Sequence, residues 1–321
     1  MSKKHIALAL KFLVSGGLIW MLVGGIDLGA ARDKILDADL SLLGLAVLVS
    51  VVQVGICVSR WRVVLGAINA VLSVYEALRI YMIGFFFNQA LPSSVGGDAV
   101  RVYKAYKGGL DLKCAINGVM LERVATVLGL ILLVVIATPF FIDRVGPGEA
   151  AWIVPSVSIL GLGGVVGLVV LMFLDRLPSR FSHWRFMHGL AMLAVDTRRV
   201  FLSPLHAIKA LSWSLAGHVN VALMVYLIGL SLDLSITWLD CMILIPPVLL
   251  VMTLPISIAG WGVREQAMVT AFGLIGIPGE GALALSIMFG LMALLTGLPG
   301  GIVWLMSSDK NIEAIDDIPT K

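Results

Sequence analysis

Charged side chains are scarce in this chain. Asp, Glu, Lys and Arg make up 13% of its 321 residues, whereas a typical soluble domain has about 25%. Hydrophobic residues make up 59%, so this composition excludes a water-soluble globular fold. The scarcity also makes each charge within an apolar stretch informative, because an ionisable group inside a membrane is costly.

Cysteine is rare as well, and recognisable catalytic motifs are missing. The three cysteines, Cys57, Cys114 and Cys241, are far apart and show no CxxC or Cys/His spacing, so they are predicted to be small core residues. No Walker loop, GxSxG, HExxH or paired-carboxylate motif occurs. The sequence therefore gives no indication of ATP hydrolysis, a catalytic centre, a cofactor, a metal or a nucleic-acid partner.

Long apolar runs dominate the rest of the sequence. Their lengths match the roughly 20 residues needed to cross about 30 Å of hydrocarbon. The clearest runs are 12–26, 40–59, 124–142, 150–174, 210–232 and 281–308. The first is long for a signal peptide and is predicted to be an uncleaved span. We predict an all-α polytopic membrane protein with about six full spans.

The distribution of positive charge predicts the topology. Basic residues are concentrated in 3–11, 60–113 and 176–209, which the positive-inside rule places in the cytoplasm. The alternation fits spans near 6–26, 40–59, 114–142, 150–174 and 206–232, starting from a cytoplasmic N-terminus. The run 80–97 does not fit, because a full crossing would place the basic residues after it outside. It is predicted to be re-entrant, with its non-helical part buried in protein or lining a cavity.

Two segments repeat each other without a gap, LPSSVGGDAVR at 91–101 and LPISIAGWGVR at 254–264. Six of the eleven residues are identical, at a constant offset of 163. Three predicted spans separate the copies, and because three is odd, the second copy should enter from the opposite side. An inverted repeat with two re-entrant broken-helix elements is a recurrent plan of secondary transporters. We predict one transmembrane domain over 1–308 and a polar tail over 309–321.

Each copy of the repeat ends in an arginine near the start of a predicted helix, Arg101 in the first and Arg264 in the second. An anion is favoured at such a position, because free backbone N–H groups and the positive end of the helix dipole meet there, and guanidinium binds phosphate bidentately. The sequence therefore predicts an anionic-headgroup site built from both helix starts. The alternative is that Asp98 and Glu265 neutralise the arginines and only hold the two halves together.

Two further pairs of polar residues lie on either side of the first repeated segment in the sequence. Glu122 and Arg123 open the third predicted span, where they form either an ordinary boundary ion pair or the counter-charge of the cavity. Asn88 and Gln89 either line a headgroup site or satisfy the broken backbone. The residues predicted to shape the broken segments are Pro92, Gly96, Gly97, Pro255, Gly260 and Gly262.

Four stretches match one known family in the expected order: RW at 60–61, NQALPSSVGGDAVRVY at 88–103, LERVATVLGL at 121–130 and SIAGWGVREQAM at 257–268. They resemble the transmembrane region of lysylphosphatidylglycerol synthase, also called the flippase-like domain. The resemblance implies a lipid translocase of the bacterial inner membrane. The positions that match its two motifs are Pro92, Gly97, Asp98, Arg101, Glu122 and Arg123, and Gly260, Gly262, Arg264 and Glu265.

The sequence has no counterpart of the aminoacyl-transferase domain of the best-known family member, so the resemblance leaves the lipid open. A lipid-modifying enzyme encoded nearby is an expected partner. Our leading hypothesis is an ATP-independent flippase that binds an anionic headgroup at Arg101 and Arg264, with Asp98, Glu122 and Glu265 tuning the charge or coupling a proton. The alternatives are a polyprenyl-phosphate glycolipid translocase, a membrane-embedded transferase using Asp98 or Glu122 as general base, and a non-transporting scaffold.

Overall fold

The computed structural model describes residue 17 and residues 26–90, 96–145, 147–176, 185–253 and 261–307. All regular elements in these segments are helical, which confirms the all-α prediction. The predictions for the first span at 6–26, for Pro92, Pro255 and Gly260, and for the tail at 309–321 fall outside the described residues.

Eleven α-helices are described, together with one short 3₁₀ turn at Leu174–Arg176. In chain order the α-helices are α1 Leu28–Leu36, α2 Leu40–Ala67, α3 Val74–Ala90, α4 Gly96–Lys107, α5 Leu112–Val145, α6 Pro147–Met172, α7 Arg185–Phe201, α8 Pro204–Ser231, α9 Trp238–Met252, α10 Val263–Gly273 and α11 Gly279–Met306. Five of them, α2, α5, α6, α8 and α11, are long and apolar enough to cross a membrane. The protein is therefore a multi-pass helical membrane protein.

Helices α3 and α4 form a hairpin in place of a crossing helix. They contain 17 and 12 residues, which corresponds to about 25 and 18 Å at 1.5 Å per residue. Gly97 of α4 lies against Gly84 and Asn88 of α3, and Arg101, one turn further along α4, also lies against Gly84. Helix α4 thus runs back along α3, and the run 80–97 belongs to a re-entrant hairpin, as the charge pattern predicted.

A second hairpin is formed by α9 and α10. Helix α9 begins with a capping box, in which Thr237 and Asp240 each accept the other's backbone N–H. Helix α10 begins after Gly262, whose φ of 85° is readily adopted only by a residue without a Cβ. With 15 and 11 residues, neither arm matches the length of the five spanning helices.

The repeat extends well beyond the eleven-residue motif. Helices α2 and α3 begin at residues 40 and 74, and α8 and α9 begin 164 residues later, at 204 and 238. Helices α4 and α5 begin at 96 and 112, and α10 and α11 begin 167 residues later, at 263 and 279. Four consecutive helices, a span, a hairpin and a second span, therefore occur twice.

The packing of α2 on α8 shows that the two copies are inverted. The N–H of Asp39, the cap of α2, donates to the carbonyl oxygen of Ser231 at the end of α8, at 2.9 Å. Further along, Asn220 Nδ2 donates to the carbonyl oxygen of Val49 at 3.0 Å and to Gln53 Oε1 at 2.9 Å. These equivalent helices run antiparallel, so the axis that exchanges them is perpendicular to both and lies in the membrane plane.

The other helix contacts obey the same symmetry. Helix α3 packs on α11, and its counterpart α9 packs on α5, the counterpart of α11.

The buried apolar residues form one large cluster mainly from α8 to α11 and another mainly from α2 to α5. Each half of the molecule thus has its own core, and small residues let the halves approach. A Cβ added at Gly300 of α11 would overlap with the carbonyl oxygen of Met82 in α3.

Candidate functional site

A buried cluster of charges lies where α2, α4 and α5 meet. Glu122 of α5 accepts a hydrogen bond from Arg60 Nε at 2.9 Å through Oε1, which also pairs with Arg60 Nη2. Its other oxygen, Oε2, accepts from Arg101 Nη1 at 3.1 Å. All three side chains are at most 5% exposed. One carboxylate therefore holds two arginines from different helices.

Asp98 extends this cluster towards its open side. Its Oδ1 accepts from Arg101 Nη1 at 3.2 Å, and its two oxygens accept from Arg123 at 2.8 and 3.1 Å. Arg123 is half-exposed, whereas Asp98 is largely covered. Counting Arg60 and Glu122, the cluster contains three guanidinium groups and two carboxylates. Among the described residues, it therefore carries an excess of one positive charge.

The cluster also contains donors without acceptors. Arg101 Nε and Nη2 and Trp61 Nε1 are buried and have no hydrogen-bond partner within the described residues. The Arg101 guanidinium lies 4.6 Å from the ring centroid of Trp61 and 4.4 Å from that of Tyr81, contacts that favour the cation. Leaving a buried donor unpaired still costs about 1–3 kcal/mol, and more for a charged group. An anion with oxygen acceptors would balance the extra positive charge and would accept hydrogen bonds from these unpaired donors.

Two glycines make room for Arg101 between the hairpin arms. A Cβ at Gly84 would overlap with Arg101 Cγ, and a Cβ at Gly97 would overlap with the Gly84 carbonyl oxygen. Asn88 Oδ1 accepts the Gly97 N–H at 3.1 Å, so this predicted site residue satisfies the backbone where α4 starts. The close approach of the arms fixes Arg101 in the second turn of α4.

The second arginine, Arg264, has a different environment. Its Nε and Nη2 donate to Glu265 Oε1 at 3.0 and 2.6 Å, and Nε lies 3.3 Å from Ser286 Oγ. Glu265 Oε2 accepts the Gly262 N–H at 2.6 Å. The guanidinium lies 4.5 Å from the ring centroid of Trp261. This pair is buried but electrically balanced, and its carboxylate also caps α10.

The two arginines share no hydrogen-bond or ion-pair partner in the described part of the chain. Arg101 is bound by carboxylates of α4 and α5, whereas Arg264 is bound by its sequence neighbour Glu265. The residues of α11 that correspond to Glu122 at the two repeat offsets, 163 and 167, are Leu285 and Phe289, and neither carries a charge. The halves repeat in backbone but differ in charge, and a headgroup site shared by both arginines stays a prediction.

Most of the predicted site residues lie in or beside these two groups. The first group contains Asp98, Arg101, Glu122 and Arg123, and the second contains Glu265 and Arg264, with Gly262 at its cap. Gln89 is half-buried and faces Gly297 of α11 instead. Gly96 is the first residue of α4. Glu122 is 1% exposed within the first group, and its role as the counter-charge of a substrate cavity stays a prediction.

Three residues of the cluster were not predicted as site residues. The sequence predicts Arg60 to be a cytoplasmic charge after a span ending at residue 59, but α2 continues to Ala67 and carries it into the bundle. Tyr81 lies in the apolar run 80–97, and Trp61 lies beyond the predicted end of the run 40–59 and belongs only to the family-like motif at 60–61. The adjacent pair Arg60-Trp61, already visible as one of the family-like motifs, was the signal that could have identified two of them.

A large apolar cavity of about 690 Å³ lies between α5, α6, α9 and α10. Val134 and Thr138 of α5 are among its lining residues. In the first half, the counterpart of α5 is α11, which packs on α3 and carries Gly297 and Gly301. There the ring of Phe86 packs so closely that a Cβ at Gly301 would lie 2.8 Å from it. The space that is open in the second half is therefore filled in the first.

The fold and the cluster define a class of protein, a multi-pass helical membrane protein with an inverted repeat and buried arginines on its hairpins. Residues 8–301 match the family described as "Lysylphosphatidylglycerol synthase TM region". The match covers most of the chain, so the protein belongs to this family, as the sequence motifs indicated. No curated protein matches the chain.

Proposed function

We propose that the protein is an ATP-independent lipid translocase, which moves an anionic or aminoacylated phospholipid, or a related lipid, between the leaflets of the bacterial inner membrane. The observation that carries this proposal is the set of unpaired buried donors on Arg101 and Trp61 within a cluster of net positive charge. A phosphate diester offers acceptor oxygens and a negative charge, and arginine is well suited to bind it.

The same cluster can bind an aminoacylated headgroup. Such a headgroup has a phosphate and an ammonium group a few bonds apart. The phosphate would accept from Arg101, while the ammonium would donate to Asp98, which is the least buried of the two carboxylates at 13% exposed. Binding of such a headgroup would break the ion pair between Arg101 and Asp98 and form two new ion pairs, one with the phosphate and one with the ammonium. No buried charge would then be left unpaired.

The inverted repeat supports transport in preference to static binding. Arg101 is 2% exposed, so a headgroup reaches it only when the α3–α4 hairpin separates from its neighbours. The apolar cavity lies beside α9 and α10, whereas beside α3 the ring of Phe86 packs closely against Gly301 of α11. In alternating access, two inverted halves exchange their arrangements, so that the half that was open becomes closed and the closed half opens. The cavity volume also suits an acyl chain, which stays in apolar surroundings.

The test compares lipid movement in vesicles that contain the intact protein or a variant. A fluorescent phosphatidylglycerol is placed in both leaflets, and its outer-leaflet fraction is followed with an impermeant quencher. We expect Arg101→Gln to slow exchange at least tenfold, because one lost charge-assisted contact is worth about 1.5–3 kcal/mol.

Arg199→Gln is the matched control. Arg199 pairs with Asp196 three residues before it at 3.1 Å, just as Arg101 pairs with Asp98 at 3.2 Å, but Arg199 is half-exposed and lies on α7. It should exchange lipid at the rate of the unmodified protein. Equal rates for the unmodified protein and Arg101→Gln, with both well folded, would refute the proposed function.

A further inference from the structure

A second group of cations lies at the open end of the α3–α4 hairpin. It surrounds a hollow of about 170 Å³ that no predicted site residue lines. The polar and deepest lining residues are Glu76, Arg79, Ile83, Lys104 and Lys107. Since one water occupies about 30 Å³ of liquid, the hollow has room for a phosphate group and some of its hydration.

The charges around this hollow favour an anion. Even without Lys104, Arg79 and Lys107 are two cations against one carboxylate, that of Glu76, among the described residues that line the hollow. That carboxylate belongs to the cap of α3, because Ser73 Oγ donates to Glu76 Oε2 at 3.1 Å and accepts the Glu76 N–H at 3.2 Å. The hollow therefore keeps an excess of positive charge whose natural complement is a phosphate.

The hollow leads directly to the buried cluster. Arg101, Lys104 and Lys107 follow each other at three-residue spacing on α4, which keeps them on neighbouring faces. Their burial decreases in the same order, from 2% exposure for Arg101 through 7% for Lys104 to an exposed Lys107. Ile83 lines the hollow, and the next residue, Gly84, is in contact with the Arg101 side chain. Cations thus extend from the surface to the unpaired donors.

We propose that this hollow is a loading site, which binds the phosphate of an anionic lipid headgroup before the headgroup reaches Arg101. The inference rests on the proposed function and names the route by which that function begins. Lysine is suited to this role, because its flexible ammonium binds phosphate as a point charge without the fixed geometry of a final site. Loading determines the lipid fraction at which transport is half-maximal, whereas Arg101, which binds the headgroup afterwards and more tightly, determines the maximal rate.

Transport kinetics test this division of roles. The rate of leaflet exchange is measured against the mole fraction of phosphatidylglycerol for the unmodified protein and for Arg79→Gln/Lys107→Gln. We expect the mole fraction at half-maximal rate to rise about tenfold, with a maximal rate within about twofold of the unmodified protein. The control is Lys113→Gln/Arg199→Gln, which removes the same charge from other surface positions.

The outcomes separate the two proposals. If the loading variant behaves as its control while Arg101→Gln remains slow, the loading site is refuted and the translocase stands. If Arg101→Gln is also normal, the proposed function itself fails, and the loading site with it. A loading variant with an unchanged half-maximal mole fraction but a reduced maximal rate also refutes loading, because the hollow would then act after binding.

Chemical labelling of the unmodified protein tests binding without transport. An amine-reactive reagent is applied to protein in phosphatidylglycerol vesicles and in phosphatidylcholine vesicles, and Lys107 and Lys113 are quantified by mass spectrometry. We expect phosphatidylglycerol to lower labelling of Lys107 at least threefold relative to Lys113. Protection by inorganic phosphate at matched ionic strength, without protection by phosphatidylglycerol, would assign the hollow to soluble phosphate and overturn the inference.

Discussion

Glu122 is the residue on which the charged cluster depends, because its carboxylate binds both Arg60 and Arg101. Glu122→Gln keeps the shape of the side chain but leaves two buried guanidinium groups facing each other. Removing one partner of a buried ion pair costs about 3–5 kcal/mol. We expect the thermal unfolding midpoint of Glu122→Gln in detergent, followed by tryptophan fluorescence, to fall by several degrees.

Asp98→Asn is the comparison for this prediction. Asp98 binds Arg101 and the half-exposed Arg123, so its loss is partly compensated by solvent and should lower the midpoint less. A Glu122→Gln protein as stable as Asp98→Asn would show that Glu122 is not the central counter-charge.

Only some residues of the charged cluster could be predicted from the sequence. Arg101 was predicted because it ends a repeated segment near the start of a helix, and Asp98 because it could neutralise that arginine. Arg60 was not, because a basic residue directly after an apolar run normally marks the membrane boundary. The unpaired donors of Arg101 and Trp61 depend on which side chains surround them, and no spacing in the sequence carries that information.

At the scale of elements, the contact between the arms of the first hairpin determines where Arg101 lies. Gly97→Ala would place a Cβ on the carbonyl oxygen of Gly84, so α3 and α4 would have to separate. We expect this variant to exchange lipid at least fivefold more slowly and to unfold at lower temperature, since overpacking costs about 1–3 kcal/mol.

Gly44→Ala provides the control for the hairpin prediction. Gly44 lies in α2, and a Cβ there would meet nothing within 4 Å. Because alanine is the better helix former, this variant should be at least as stable as the unmodified protein and should transport normally. Normal transport by Gly97→Ala would mean that the close packing of the arms is not required.

The spanning helices were predictable, and the hairpins only in part. Uncharged runs of about 20 residues gave α2, α5, α6, α8 and α11, and the charge pattern indicated that 80–97 turns back. The end of α2 was placed at residue 59, eight residues before its observed end at Ala67, because Arg60 and Arg62 interrupt the apolar run. Burial of Arg60 against Glu122 outweighs that interruption, and only the tertiary structure shows it.

At the scale of the whole molecule, a backbone repeat is combined with an unequal distribution of charge and space. Eleven aligned residues and an odd number of spans predicted the inversion, and the antiparallel packing of α2 on α8 is its direct sign. The asymmetry was not predictable from the motif, since both copies end in arginine. In the first half, Arg101 keeps two unpaired donors and Phe86 packs closely against α11, whereas the second half has a balanced Arg264 and an open cavity.

We propose that headgroup binding belongs to the first half of the repeat, at Arg101. The most direct measurement is the mass spectrum of lipids that remain bound to the purified protein, compared with those bound to Arg101→Gln and Arg199→Gln. We expect the unmodified protein and Arg199→Gln to retain the same anionic or aminoacylated lipid and Arg101→Gln to lose it. Retention of that lipid by Arg101→Gln in equal amount would show that Arg101 does not bind the headgroup.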